Sequence, residues 1–163
     1  MKTTVSIVGR TNVGKSSIFN KLAKSKSAIV SDREGLTRDL KTTELTLGNK
    51  TLTLVDTGGF FTSKNDEFEE MILAKAHEAI EMSELILFVV DKKFGISPYD
   101  KEIASILRKG SKEVILVINK IDVKTDEGVS VFQELGFKKI IEVSAEHNKN
   151  IIELKKTIFE NVS

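Results

Sequence analysis

The chain has no cysteine and only one proline in 163 residues. Lack of cysteine excludes disulfide frameworks, thiolate zinc sites and cysteine nucleophiles, and it permits a reducing compartment. Neither sign of charge is in excess: 25 basic residues face 24 acidic ones, a formal net charge of +1. Bulk electrostatics therefore make no case for nucleic-acid or membrane binding by the domain as a whole. Long apolar runs are missing too, so no segment reads as a bilayer span. Met1 leads directly into Val5, Ser6, Ile7 and Val8 without the apolar stretch of a signal peptide. The expectation is a cytoplasmic protein with no membrane partner. There is likewise no internal repeat, low-complexity tract or Pro/Gly/Ser-rich linker, which predicts one domain over residues 1–163.

What is present is an alternation of short β-branched apolar runs with stretches of helical period, the pattern of parallel strands covered by helices. Residues 5–8, 45–47, 52–55, 85–90, 114–118 and 140–143 read as six strands, with the second and third paired as a hairpin across Gly48, Asn49 and Lys50. The runs 85–90 and 114–118 are apolar throughout, which requires burial on both faces. Helical periodicity supplies the cover over residues 15–24, 68–82, 98–108 and 151–160, and more weakly over 128–135. Ser97 is placed to cap the third helix, Pro98 is its first residue, and Gly110 follows its end.

The first chemical pattern is Gly9-Arg-Thr-Asn-Val-Gly14-Lys15-Ser16, a phosphate-binding P-loop set directly after a predicted strand and before a predicted helix. Gly9 and Gly14 let the backbone between them, Asn12 and Val13 included, turn its amides toward phosphate oxygens, and the following helix adds its positive N-terminal end. Lys15 is expected to reach the β- and γ-phosphates. Ser16 offers a hydroxyl to Mg2+, and Ser17 a contact to the α-phosphate. Four fixed positions match by chance in about one chain of this length in a hundred, so a loop without a ligand is the weaker reading.

A P-loop does not choose between ATP and GTP. Asn119-Lys120-Ile121-Asp122, directly after the buried run 114–118, does. A carboxylate at Asp122 accepts two hydrogen bonds from the ring NH and exocyclic amine of guanine, a pair that adenine lacks. Asn119 is expected to tie this loop back to the P-loop, and the aliphatic stem of Lys120 to lie along the base. Alone, the four residues also read as a polar turn after a strand. That reading must also explain Ser144-Ala145-Glu146 after the next strand, where the Ala145 amide is expected to donate to the guanine carbonyl. Both loops lie at strand carboxyl ends, where ligands bind in such sheets.

Two further segments read as elements that sense a γ-phosphate. Asp56-Thr57-Gly58-Gly59 ends a strand: Asp56 suits the acidic position that holds Mg2+ through water, and Gly59 lets its amide approach the γ-phosphate. Residues 28–39 have few apolar anchors and contain Gly35, Leu36, Thr37, Arg38 and Asp39, which reads as a mobile loop carrying Thr37 to Mg2+. Each segment alone is a strand-end turn or an isolated threonine. Four motifs in this order predict an α/β P-loop NTPase of the Ras-like G-domain type, a mostly parallel six-stranded sheet with helices on both faces.

On these residues the chain resembles the translation-factor-related bacterial GTPases (TRAFAC class, Era/TrmE-like), and most closely the first GTPase domain of the Der (EngA) family. The resemblance covers essentially the whole chain. It rests on Gly9-Arg-Thr-Asn-Val-Gly-Lys-Ser-Ser17, Ala28-Ile-Val-Ser-Asp32, Leu36-Thr-Arg-Asp39, Asp56-Thr-Gly-Gly59, Asn119-Lys-Ile-Asp122, Leu135-Gly-Phe137 and Ser144-Ala-Glu-His147. It implies GTP and GDP as ligands, Mg2+, and slow hydrolysis of GTP. It also implies a fragment of a protein with a second GTPase domain and a KH-like domain, whose partner is the large ribosomal subunit or its assembly intermediates. Thr11 departs from the family's usual proline, which relaxes the loop without removing a ligand. Phe60 stands where Ras-like enzymes keep a water-orienting glutamine, and a phenyl ring cannot do that work. The family resembles GTPases in which K+ beside the P-loop asparagine supplies transition-state charge, and Asn12 matches that asparagine. The plainer reading is that Asn12 satisfies loop amides. Lys15, Thr37, Gly59 and Asn12 are then the catalytic candidates.

Two other function classes fit less of the pattern: a binding module with negligible hydrolysis, and an ATP-using P-loop enzyme such as a kinase, for which no acceptor-binding lid is evident. His77 and His147 lack a paired ligand pattern and receive no chemistry. Phe60 and Phe61 read as core, and the acidic run 66–70 and Lys138, Lys139, Lys155 and Lys156 as solvated surface.

Overall fold

The computed structural model describes residues 3–23, 29–30, 41–58, 69–124 and 128–163. In chain order these form β1 (Thr3–Val8), α1 (Lys15–Ala23), β2 (Ile29–Val30), β3 (Lys41–Leu47), β4 (Lys50–Asp56), α2 (Glu69–Met82), β5 (Leu85–Asp91), α3 (Pro98–Lys109), β6 (Glu113–Asn119), a 3-10 helix (Ser130–Leu135), β7 (Lys139–Glu142) and α4 (Ile151–Glu160). The sheet order is β2-β3-β4-β1-β5-β6-β7. Strands β4, β1, β5, β6 and β7 run parallel, β3 pairs antiparallel with β4 through the tight turn at Gly48 and Asn49, and β2 pairs antiparallel with β3. All six expected strands are present, and the two-residue β2 adds a seventh at the edge.

Strand parity sorts the core into two. Leu85, Leu87 and Val89 of β5 face one side, together with Val5 and Ile7 of β1, Ile18, Phe19 and Leu22 of α1 and Leu154 and Ile158 of α4. Ile86, Phe88 and Val90 face the other, against Ile72, Ala76 and Ala79 of α2, Ile103 and Leu107 of α3, and Phe132. Every residue of β5 is buried, as its unbroken apolar run requires. Each fully buried Leu, Ile or Phe contributes about 1.5–3 kcal/mol of transfer free energy, so the central strands carry a large share of the fold's burial free energy. At the sheet margin, Lys50 donates from Nζ to the carbonyls of Phe159 (2.7 Å) and Val162 (2.8 Å), with its ammonium over the Phe159 ring.

Three local details differ from the sequence reading. β3 begins at Lys41, ahead of the apolar run, because the inward-facing residues are Thr43, Leu45 and, in part, Leu47, so its inward face starts with a threonine and the alternating residues are polar. Residues 130–135 form a 3-10 helix rather than an α-helix, ended by Gly136 at φ 86°. Gly110 does close α3, but at φ −79°, so left-handed freedom is not its use; a Cβ there would come within 2.6 Å of the Ile80 side chain on α2. Ser97 caps α3 as expected, and Asp100 completes a reciprocal capping box.

Candidate nucleotide-binding site

Because the central strands are parallel, the loops after β1, β4, β5 and β6 open at one edge of the sheet. The strand order reverses direction at β1, the position where such sheets hold their ligands. The loop after β1 is shaped by close approaches. A Cβ on Gly9 would lie 2.6 Å from the Val89 carbonyl oxygen of β5, and one on Gly14, at φ 99°, would lie 2.2 Å from Asn119 Nδ2. Val13 is fully buried in the core and anchors the loop from beneath. Lys15, the first residue of α1 and itself buried, donates from Nζ to the carbonyls of Gly9 (2.8 Å) and Arg10 (2.7 Å), so the ammonium bridges the loop it closes. No acidic residue occupies the first turn of α1, which leaves its positive end unopposed for an anion.

Ser16 donates to Asp56 Oδ2 at 3.2 Å. Asp56 is fully buried at the end of β4, where its Oδ1 accepts the Gly58 amide at 3.1 Å. Thr57 fastens this end of β4 to β1 by donating both its amide and its hydroxyl to the Ile7 carbonyl. The expected magnesium pair is therefore brought together: a hydroxyl and a carboxylate, oxygen donors suited to a hard dication. Among the described residues there is no cluster of three or more His, Asp or Glu that suggests another metal. Asn12 and Ser17 are exposed on the same loop and helix end, and Asn12 adopts a left-handed φ of 69°. Thr37, Gly59 and Phe60 lie outside the described residues.

The base loop is tied to the phosphate loop by one side chain. Asn119, buried at the end of β6, donates from Nδ2 to the Val13 carbonyl (2.9 Å) and accepts at Oδ1 from the Ala145 amide (3.1 Å). The first contact is the expected one. The second changes the reading of Ala145: its amide, assigned in the sequence to the guanine carbonyl, is engaged by Asn119 here. Lys120, at φ 68°, donates from Nζ to the Asn12 carbonyl (3.1 Å) and to Asp91 Oδ2 (2.8 Å). Asp122 is partly exposed, and His147 Nε2 stands 3.2 Å from its Oδ2. The Ser144 hydroxyl, chiefly, holds the Asp122 carboxyl below the usual carboxylate range, with His147 and Lys149 adding to the effect. Ser144 is buried and its oxygen accepts the His147 amide, so residues 144–149 form a closed turn, while Glu146 is exposed.

Sequence reasoning overlooked Asp91; it read His147 rightly as a solvated or hydrogen-bonded side chain beside the base loop, without naming Asp122 as its neighbour. Asp91 carries a signal in hindsight, since it is the only charged residue of β5 and sits at the carboxyl end of that strand. His147 had none, because its role depends on the turn that folds it back onto Asp122.

Residues 4–120 match the family described as 50S ribosome-binding GTPase. Among curated relatives, GTPase Der of Finegoldia magna is 44% identical over 158 residues, which is 96% of this chain and 36% of that protein. The chain thus spans about a third of the length of that relative. Among solved structures, Aquifex aeolicus Era bound to GDP.AlF4- superposes with a TM-score of 0.75 at 31% identity, covering 100% of this chain and 58% of Era. Era in complex with MgGDPNP and nucleotides 1506-1542 of 16S ribosomal RNA gives the same score, identity and coverage. These likenesses agree with the P-loop, the paired Ser16 and Asp56, and the Asn119 tie described above, and the chain belongs to the 50S ribosome-binding GTPase family.

Proposed function

We propose that this chain binds GTP and GDP and hydrolyses GTP as a molecular switch in assembly of the large ribosomal subunit. The carrying observation is Asn119, whose single buried amide joins the phosphate loop, the base loop and the 144–145 loop, so that one ligand with a triphosphate and a purine spans all three. The amides of loop 9–14 and the N-terminus of α1 receive the phosphates, Lys15 neutralises the β- and γ-oxygens, and Asp122 accepts from the guanine edge. The Ser144 hydroxyl lowers the Asp122 carboxyl further from its ordinary value, and the ionised carboxylate can accept two hydrogen bonds. Ser16, Asp56 and Thr37 would hold Mg2+, which neutralises charge on the phosphate oxygens when bound. Asn12 is the side chain for K+: it is exposed and left-handed, its carbonyl is fixed by Lys120, and no loop amide among the described residues engages its side chain. Such a cation adds charge stabilisation of the kind an arginine finger gives, about 10³-fold or more.

The ribosomal role draws on the family description. The chain's match to only 36% of Der is in keeping with a longer protein, and the second GTPase domain and KH-like domain are what the family resemblance implies for the rest of it. Among the described residues no helix is long and apolar enough to cross a membrane; the cytoplasmic location is part of the proposal and rests on the family resemblance.

Single-turnover hydrolysis of GTP and ATP with Mg2+, in K+ and in Na+ at equal ionic strength, tests substrate, activity and cation together. The expected result is GTP turnover that is faster in K+, and ATP inert. Binding of GTP without any turnover would leave a nucleotide module only, and equal rates in both salts would remove the role of K+. Asp122→Asn should move preference from GTP toward xanthosine triphosphate; undiminished GTP affinity in that variant contradicts the base assignment.

A further inference from the structure

The turn that follows β5 touches both halves of the site, although no motif marks it. Asp91 is buried at the end of β5 and uses both carboxylate oxygens. Oδ1 accepts the amides of Lys93 (2.8 Å) and Phe94 (3.3 Å), which fixes the turn, and Oδ2 pairs with Lys120 Nζ at 2.8 Å. The same ammonium donates to the Asn12 carbonyl in the phosphate loop. Lys92, next in the turn, donates its amide to the Asn119 carbonyl (3.0 Å) and its Nζ to that of Ile121 (3.3 Å). Three consecutive residues of the base loop are therefore held by Asp91 and its neighbour. On the other side, the Phe94 ring lies 4.3 Å beneath the Arg10 guanidinium, and the Arg10 carbonyl is one of the two that receive Lys15.

We propose that Asp91 is a positioning residue that sets the base-reading loop in register with the phosphate loop, acting through Lys120. It touches neither base nor phosphate. Its charge keeps the Lys120 ammonium across the gap between the loops, while its other oxygen builds the turn from which that charge is presented. Lys120 has an unusual left-handed backbone for a residue other than glycine or asparagine, so its side chain needs such an anchor to hold one direction. The inference rests on the guanine-nucleotide reading above.

Asp91→Asn is the direct test, because the amide oxygen can still accept from Lys93 and Phe94 while the charge facing Lys120 is gone. Loss of a charge-assisted bond at a partly exposed ammonium predicts GDP and GTP dissociation constants raised about tenfold, with the saturating single-turnover rate changed less than about twofold. In a Lys120→Met background the same substitution should change affinity less than about twofold, since the intermediary is already absent. Wild-type affinity in Asp91→Asn, or an equal loss in both backgrounds, overturns the proposal. If Asp91→Asn does not fold by circular dichroism, Lys120→Met removes the bridge from its more exposed end and keeps the aliphatic stem. It should show a comparable loss, and wild-type affinity there refutes the proposal equally. Absence of GDP binding by the unaltered chain would instead sink the functional reading on which this one stands.

Discussion

Gly14→Ala should destabilise the protein by far more than one methyl group suggests, and the reason lies across the sheet edge. The added Cβ falls 2.2 Å from Asn119 Nδ2, whereas ordinary contact begins near 3.4 Å, so the amide must move by about 1.2 Å, the difference between the two. That displacement stretches the 2.9 Å bond to Val13 and the 3.1 Å bond from Ala145 beyond useful length. Two buried polar groups are then left unpaired at about 1.5 kcal/mol each, and alanine at φ 99° adds about 1 kcal/mol of backbone strain. The total is about 4 kcal/mol, or a fall in Tm of roughly 8–16 °C for a domain of this size. Thermal unfolding followed by circular dichroism measures it. Asn119→Ala alone should cost about 3 kcal/mol, and Gly14→Ala made in that background only the residual strain of about 1 kcal/mol. A Tm loss under about 3 °C in the single variant, or the same cost in both backgrounds, would refute the contact.

Gly110→Ala should lower stability by about 1–3 kcal/mol through overpacking against Ile80, and Ile80→Ala made with it should recover part of that loss in a urea melt. Ser16→Ala should abolish the Mg2+ dependence of GTP affinity while leaving GDP affinity within about threefold, read by titration with and without EDTA. Ser144→Ala removes the chief group holding the Asp122 carboxyl down. A depressed carboxyl delivers its contribution above its ordinary value and loses it as pH falls through the folded one, so acid loss of GDP binding should begin at higher pH in the variant; superimposed pH profiles would contradict this. His147→Ala frees the Asp122 oxygen that the imidazole faces and should tighten GDP binding by roughly two- to fivefold in a calorimetric titration.

The features legible in the sequence were those with a period or a fixed spacing. β5 and β6 announced themselves because burial on both faces demands an apolar residue at every position, and the Gly9-to-Ser16 loop because its backbone needs glycine where Val89 and Asn119 approach. Asn119 was read correctly as the tie between loops. What escaped was whatever depends on the third dimension. Thr43 turns inward from β3 without an apolar signal. The Ala145 amide was assigned to the base because nothing in the sequence tells that Asn119 reaches it first. Gly110 was placed correctly at the end of α3, but only the packing of α2 against α3 shows what a side chain there would strike. Asp91 was passed over because a carboxylate closing a strand has no partner in the sequence, only in the fold.

Lys50 opens β4 and Asp56 closes it, with five residues between them. The ammonium of the first clasps the carbonyls at the tail of α4, and the carboxylate of the second faces Ser16. At about 3.3 Å per residue, the strand is a stiff rod of roughly 20 Å with a grip at one end and the Asp56 carboxylate at the other. A displacement of α4 would therefore be felt at Asp56 along β4 itself, without passing through the 9–14 or the 119–122 loop.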